Sequence, residues 1–222
     1  DYDSLEEALN AAQHGDTIYL LKSFIQPGIR INKRVSIVPD DSVTDPITIT
    51  KISPGDLFTF NSVGTGISIT IGASDKPAII LDGGGFKQTG SLITTSGTKT
   101  IILINVELCN SINTADGGAI YIGYNSQIEM NYCKVQHCTS SSCGGGILLA
   151  GGGGGNECIL TLNQVTFQYN TAVKDGGAIC ANGFKGHSRL TTQGCVFQFN
   201  VAQGNGGAIW AVKTQSMTND EF

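Results

Sequence analysis

The sequence predicts a single all-β domain, a right-handed parallel β-helix with a short N-terminal capping α-helix. Three observations lead to this prediction. Many short runs of β-branched and apolar residues are separated by glycine, proline, asparagine and aspartate. A helix is indicated only at the front of the chain, which excludes an alternating βα layout. The second half repeats one unit four times, at a period of about 30 residues that is typical of solenoids.

Residues 1–16 are predicted to form the cap. Ser4 and Glu7 fit a capping box, in which the Ser4 hydroxyl accepts from the Glu7 amide while Glu7 reaches back to the amide of Ser4. The apolar positions that follow recur at helical spacing: Leu5, Ala8, Leu9 and Ala12. We therefore expect a helix over residues 4–13. Glu6 and Glu7 are interpreted as capping and solvated residues rather than as an acid pair.

We expect residues 17–105 to form turns of the β-helix, which we call coils, from short strands that lack the regular repeat of the second half. In Ile67–Ile71 three isoleucines alternate with polar residues, so they would share one face of a strand. The predicted strands cover residues 17–21, 28–31, 34–38, 47–50, 57–60, 67–71, 78–81 and 100–106.

Residues 106–222 predict the regular coils. Each of four units carries a Gly-Gly pair nine residues after an apolar position, and we call them units 1 to 4. The apolar positions are Leu108, Val135, Phe167 and Phe197, and the glycine pairs are Gly117-Gly118, Gly144-Gly145, Gly176-Gly177 and Gly206-Gly207. The pairs are 27, 32 and 30 residues apart, so a constant element is embedded in loops of varying length.

Stacking of these units predicts a role for each column of residues. Phe167 and Phe197 would lie one coil apart in the interior, where Leu108 and Val135 continue the column. Asn170 and Asn200 would form an amide ladder between coils. The Gly-Gly pairs would form sharp corners with positive φ. The Gly151–Gly155 run is interpreted as a protruding loop rather than a phosphate-binding loop, because no Lys-Ser/Thr follows it.

Composition excludes several classes of protein. Glycine occupies 30 of 222 positions, charged residues make up 14 % and hydrophobic residues 40 %. This chain is too apolar to be disordered, and its glycines lack the three-residue period of collagen. A net charge of −5, with 13 basic residues and no basic cluster, argues against a nucleic-acid partner. The sequence contains no apolar run of about 18 residues, so it predicts no transmembrane helix.

The pairing of Phe-x-x-Asn (167–170 and 197–200) with Gly-Gly-Ala-Ile (from 117, 176 and 206) resembles the repeat of the chlamydial polymorphic outer-membrane proteins. The capped helix and the following residues 14–20 resemble the start of pectate-lyase-like right-handed β-helices. These resemblances imply a secreted or surface-exposed β-helix, such as the passenger domain of a longer protein. Units 1 and 2 depart from the pattern: unit 1 has Ser111 at the Asn position, and unit 2 has Cys138 there.

The pectate-lyase-like resemblance also raises the possibility of a polysaccharide lyase or glycoside hydrolase. The acidic and basic motifs of those enzymes are not matched. Asp40 and Asp41 are the one aspartate pair, His187 is followed by Ser188, and no acidic cluster accompanies the three arginines, Arg30, Arg34 and Arg189. Asp116 and Asp175 share a column, but two coils would separate them by about 10 Å, too far to share one calcium ion. These two and Asp82 are interpreted as turn residues.

The seven cysteines all lie in the second half of the chain. Cys133 and Cys195 share an inward column with Val106 and Val165, and are expected to be small core residues. A disulfide between Cys109 and Cys138, or between Cys138 and Cys143, remains open. A metal site around His137 is a weaker hypothesis than an inert histidine, and His187 is expected to be an inert loop residue. No metal or cofactor site is predicted.

We therefore expect a non-enzymatic protein, secreted or at the cell surface. It would act as an adhesin-like passenger or stalk that contacts an unknown protein or glycan through its loops. Residues 1–222 would be the front part of a longer solenoid. The alternatives are the polysaccharide enzyme and a purely structural spacer.

Overall fold

The protein is an all-parallel β-solenoid with one short helix at its N-terminal end, which confirms the predicted fold class. The structure is a computed structural model that describes residues 2–60, 67–85, 90–97, 99–151, 157–182, 188–212 and 216–222. Within these residues the helix is far shorter than a membrane span requires.

The elements of the described residues are, in chain order, α1 (Leu5–Ala11), β1 (Thr17–Leu20), β2 (Phe24–Gln26), β3 (Ile29–Arg30), β4 (Ser36–Pro39), β5 (Ile47–Lys51), β6 (Phe58–Phe60), β7 (Ile67–Ile71), β8 (Ile79–Asp82), β9 (Ile93–Thr95), β10 (Lys99–Ile104), β11 (Val106–Cys109), β12 (Ile112–Asn113), β13 (Ile120–Ile122), β14 (Ser126–Asn131), β15 (Lys134–Gln136), β16 (Thr139–Ser140), β17 (Ile147–Leu149), β18 (Cys158–Asn163), β19 (Thr166–Gln168), β20 (Thr171–Ala172), β21 (Ile179–Ala181), β22 (Ser188–Gln193), β23 (Val196–Gln198), β24 (Val201–Ala202), β25 (Ile209–Ala211) and β26 (Ser216–Thr218).

Four parallel sheets run along the solenoid, and each coil adds one strand to a sheet. Sheet A has the order β1-β4-β7-β10-β14-β18-β22-β26, and sheet B has the order β2-β5-β8-β11-β15-β19-β23. Sheet C has the order β3-β6-β9-β13-β17-β21-β25, and the short sheet D, which occurs in units 1 to 4, has the order β12-β16-β20-β24. Equivalent residues of successive units are therefore stacked directly on one another.

The N-terminal helix closes the apolar interior. The Ser4 hydroxyl accepts a hydrogen bond from the Glu7 amide at 3.2 Å, as the capping box predicts. The reciprocal bond differs, because the Glu7 carboxylate accepts from the amide of Asp3 at 3.2 Å instead of that of Ser4. At the other end, the Lys33 ammonium donates to the carbonyls of Leu9, Asn10 and Ala12 at 2.7–2.8 Å. A cation therefore satisfies the last turn of the helix.

Most predicted strands are present with shifts of one or two residues. The prediction of one strand over residues 100–106 was wrong, because β10 and β11 are separate strands in sheets A and B. Asn105 lies between them with φ of +54°, a left-handed conformation that turns the chain through a corner. Strand β2, which has only three residues, was not predicted from the sequence.

The core is a continuous column of apolar side chains inside the coils. In β5, β7, β10, β14 and β18 buried residues alternate with half-buried or exposed ones, as expected for strands with one face inward. The alternation in β5 also carries Lys51 inward. Its ammonium group donates to the carbonyl of Gly90 at 3.4 Å, and burial lowers the pKa of this lysine.

Candidate functional site

The interior of units 3 and 4 contains a phenylalanine stack. Phe167 lies opposite Phe197 in the β19–β23 register, with ring centroids 5.1 Å apart and planes inclined by 7°. Leu108 and Val135 occupy the same column in units 1 and 2. Both phenylalanines are buried, so they stabilise the core.

Beside this column lies a ladder of two amide side chains. The Asn170 amide donates to the Asn200 carbonyl oxygen at 2.9 Å and to the backbone carbonyl of Val135 at 2.9 Å. In turn, the Asn170 side-chain oxygen accepts from the amide of Cys138 at 3.1 Å. Asn200 repeats the pattern by donating to the backbone carbonyl of Phe167 at 2.9 Å. The two amides satisfy backbone groups where the chain leaves sheet B.

The two glycines of each Gly-Gly corner meet different requirements. Gly117, Gly144, Gly176 and Gly206 have φ between +65° and +69°. The second glycine has no positive φ, but its Cα faces the coil above. A Cβ on Gly118 would collide with the backbone carbonyl of Gly145, and one on Gly145 with that of Gly177. The second glycine therefore allows coils to approach closely.

The aspartates before the glycine pairs hold the next coil in place. The Asp116 carboxylate accepts from the amide of Cys143 at 3.0 Å, and the Asp175 carboxylate accepts from that of Asn205 at 2.7 Å. Asp82 accepts from the amide of Gly84 at 2.9 Å. The main contacts of these three carboxylates are with turns.

The outer surface carries a stack of aromatic side chains that sequence reasoning did not single out. The rings of His137 and Tyr169 have centroids 5.0 Å apart and planes inclined by 4°. Those of Tyr169 and Phe199 are also 5.0 Å apart, inclined by 9°. All three residues are exposed, Tyr169 to 48 % and Phe199 to 68 %. We call these three residues the outer aromatic column.

Each residue of the outer aromatic column has a left-handed backbone, with φ of +53° to +55°. Asn110 has the same position and the same conformation, φ +55°, in unit 1. Large side chains rarely adopt this conformation, whereas asparagine does so readily. The available signal in the sequence was the position just before the asparagine of Phe-x-x-Asn, where units 3 and 4 both carry an aromatic residue.

A small pocket of about 220 Å³ opens where the turns of neighbouring coils meet sheet C. Its wall includes Asp56, Asp116 and Tyr121. The Asp56 carboxylate accepts from the amide of Ser91 at 2.7 Å, so both aspartates already bind backbone groups. Burial, and then the charge of Asp116, raise the pKa of Tyr121.

Three of the remaining candidates from the sequence have partners of their own. Asp40 accepts from the amide and the hydroxyl of Ser42, at 3.0 and 2.7 Å. Asp41 forms an ion pair with Lys76, and Arg189 pairs with Glu157 at 2.6 Å. His187 and residues 152–155 of the glycine run lie outside the described residues. The described part of the chain contains no cluster of three metal-ligating side chains.

All seven cysteines are buried thiols without a disulfide. Neither of the two bridges left open by the sequence, Cys109–Cys138 or Cys138–Cys143, is formed. Burial raises the pKa of Cys109, Cys133 and Cys138 to about 12, so these thiols are protonated at neutral pH. His137 stacks on Tyr169 rather than approaching a thiol pair as a metal ligand would.

Part of unit 3 matches a known protein-family model. Residues 164–182 match the family model described as the Chlamydia polymorphic membrane protein repeat. This segment is the core of unit 3, from the corner before β19 to the end of β21, and includes Phe167, Asn170 and the pair Gly176-Gly177. The solenoid around it is the architecture expected of a β-helix repeat protein. No curated protein matches the chain.

Proposed function

We propose that this chain is a surface-exposed, non-enzymatic passenger segment that binds a protein or glycan partner in the manner of an adhesin. The match to a repeat named for a membrane protein supports a location at the outer membrane or cell surface. The solenoid supports a role as a rigid scaffold, because consecutive coils are held together by sheets, amide ladders and close-packed corners.

The outer aromatic column is the observation that carries this proposal. Its rings stack along the solenoid axis, so their faces are largely covered by one another and their edges point to solvent. An exposed aromatic strip of this kind is typical of the anchors that dominate binding energy in protein interfaces. Asn110 shows that the fold accepts a polar residue at this position, so the fold does not require the aromatic residues there.

The test replaces Tyr169 and Phe199 together with asparagine, which tolerates the left-handed backbone. We expect the variant to keep the far-UV circular dichroism spectrum of the parent chain and to lose at least about tenfold in saturable binding to cultured cells, because two aromatic anchors are removed. Binding of the fluorescently labelled chain would be measured as a function of concentration.

Tyr132→Asn is the matched control. Tyr132 is 59 % exposed and left-handed, with φ of +57°, but it lies at the corner between sheets A and B, where Asn105 is the equivalent residue of the preceding coil. This control should bind as the parent does. Unchanged binding by the folded double variant would show that the outer aromatic column does not bind the partner. Complete absence of saturable binding by the parent would favour a structural spacer.

The pocket beside Asp116 offers a direct test of the enzymatic alternative. The parent and Asp116→Asn would be incubated with polygalacturonate and other acidic glycans, with and without calcium. We expect neither protein to release unsaturated or reducing ends. If the parent releases such ends and Asp116→Asn does not, the protein is a polysaccharide lyase or hydrolase and the adhesin proposal is wrong.

A further inference from the structure

A second apolar cluster lies outside the main core, on the outer face of sheet C. It consists of Cys143, Leu148 and Cys180, and it is covered by Tyr121, Ala150 and Trp210. The strand register places Leu148 opposite Cys180, and Cys180 opposite Trp210. Cys143 belongs to the turn before the glycine pair of unit 2, and Cys180 belongs to β21 of unit 3.

The other cysteine side chains have different neighbours. Four thiols donate to backbone carbonyls at 2.9–3.7 Å, and they belong to Cys133, Cys138, Cys158 and Cys195. The sulfur of Cys109 accepts from the side chain of the adjacent Asn110 at 3.6 Å. Cys143 and Cys180, in contrast, lie in one contact cluster, and burial together with the neighbouring Cys143 raises the pKa of Cys180.

We propose that Cys143 and Cys180 form a disulfide bond that joins the turn of unit 2 to sheet C in unit 3. The two residues are 37 positions apart in the sequence but on neighbouring coils, so the bond would lock one coil to the next. It would lie on the outer face of the sheet, away from the phenylalanine and asparagine columns.

The chemistry is thiol–disulfide exchange with an oxidised small-molecule or protein disulfide. Cys143 is 7 % exposed and Cys180 is fully buried, so Cys143 is the thiol that an oxidant reaches first. Its thiolate attacks the disulfide of the oxidant, forming a mixed disulfide and releasing one thiol. The Cys180 sulfur then displaces the second thiol, so the protein loses two hydrogens while one disulfide is reduced to two thiols. Burial raises the pKa of Cys180, which also makes this residue the second rather than the first to react.

Formation of the bond in the cell rests on the proposed surface location, because disulfides persist in oxidising compartments. The geometry of the pair does not depend on that location. The pair can therefore be tested with the purified chain in a glutathione buffer, and failure of that test would leave the binding test of the proposed function unaffected.

The experiment incubates the reduced, folded 222-residue chain with oxidised glutathione at pH 8, followed by acid quenching, denaturation and alkylation. We expect a product about 2 Da lighter than the reduced chain before alkylation, because two hydrogens leave, and five alkylated thiols instead of seven. Peptide mapping should recover one cross-linked pair containing residues 143 and 180. The oxidised chain should also unfold at a higher temperature, by about 5 °C.

Cys143→Ser and Cys180→Ser should each abolish the cross-link. Cys109→Ser is the matched control, since Cys109 is 5 % exposed, similar to Cys143, and should leave the cross-link intact. The mapped cross-link in the parent chain keeps the inference testable if a serine variant fails to fold. Seven alkylated thiols after oxidation, or a cross-link that joins any other two cysteines, would overturn the inference.

Discussion

At the scale of single residues, one buried amide ties together three coils. Asn170 accepts from the amide of Cys138 in unit 2 and donates to Val135 of the same unit, and it also donates to Asn200 in unit 4. Its side chain is fully buried. A buried backbone group that loses its partner costs the full desolvation penalty, so this position contributes more to stability than an average hydrogen bond does.

Asn170→Ala should lower the free energy of unfolding by about 1–3 kcal/mol, because it leaves the buried Cys138 amide without its partner. Urea denaturation followed by circular dichroism would measure the change. Asn163→Ala is the control, since the half-buried Asn163 donates only to the side chain of Asn131 at 2.8 Å. We expect this variant to lose less than about 1 kcal/mol. Equal losses in the two variants would contradict the role given to Asn170.

Sequence reasoning found the inward columns more readily than the outward one. The constant spacing of nine residues between the apolar position and the glycines was enough to align Phe167 with Phe197, because only a stacked repeat requires it. The outer aromatic column was missed because an aromatic residue in a β-rich sequence is normally a core residue. The left-handed backbone of Tyr169 and Phe199, which turns their side chains outward, is visible only in the structure.

At the scale of elements, the corner between sheets D and C sets how closely the coils can stack. Gly145 is surrounded by the backbone of unit 3, where an added Cβ would collide with the carbonyl of Gly177 and lie 2.6 Å from that of Thr171. Gly207 occupies the equivalent position in unit 4, and its nearest neighbour would be the Asn200 carbonyl oxygen at 3.6 Å. No described coil stacks on Gly207 in the 222-residue chain, so the two positions differ in whether a neighbouring backbone lies against the glycine.

Gly145→Ala should destabilise the chain by about 1–3 kcal/mol or more, because the backbone of two coils must move apart to admit the methyl group. Gly207→Ala should change stability by less than about 0.5 kcal/mol, since its Cβ makes only ordinary contacts. Thermal unfolding of the two variants side by side provides the measurement. A Gly145→Ala variant as stable as the parent would show that the close approach of the two coils does not require a glycine at this position.

The positions of the elements were predictable where the pattern is long and strictly alternating, as in Ile67–Ile71. They were not predictable at corners. The run from Ile101 to Val106 is uniformly apolar apart from Asn105, and periodicity cannot indicate that the chain changes sheets there. The proximity of Cys143 to Cys180 could not be predicted from the sequence either, because it joins a turn of one unit to a strand of the next.

At the scale of the whole molecule, the coils are interchangeable in register. Thr166 pairs with Val196 in sheet B, so the residues two positions earlier, Gln164 and Gly194, occupy equivalent corner positions. Both are left-handed, with φ of +53° and +61°. Removal of residues 165–194 would join Gln164 directly to Cys195, which takes the place of Val165. The sheets on both sides of the junction would remain aligned.

The chain without residues 165–194 should fold, with an unchanged circular dichroism signal per residue and a urea m-value reduced roughly in proportion to its length. Removal of residues 165–179 alone is the control, because it eliminates half a unit and joins sheet A to the end of sheet C. We expect that variant to lose cooperative unfolding. Folding of both shortened chains, or of neither, would contradict the interchangeability of coils.

The parallel register also determines how the molecule would respond to mechanical tension. Each coil is hydrogen-bonded mainly to the coil above and the coil below, as the strand orders of the four sheets show. A pull on the two ends would therefore detach coils singly, and each coil of about 30 residues would release roughly 100 Å of extended chain. At a surface subject to flow, such a protein would lengthen by steps under load and dissipate the force at each step, while the coils still in the stack kept their outward side chains in place.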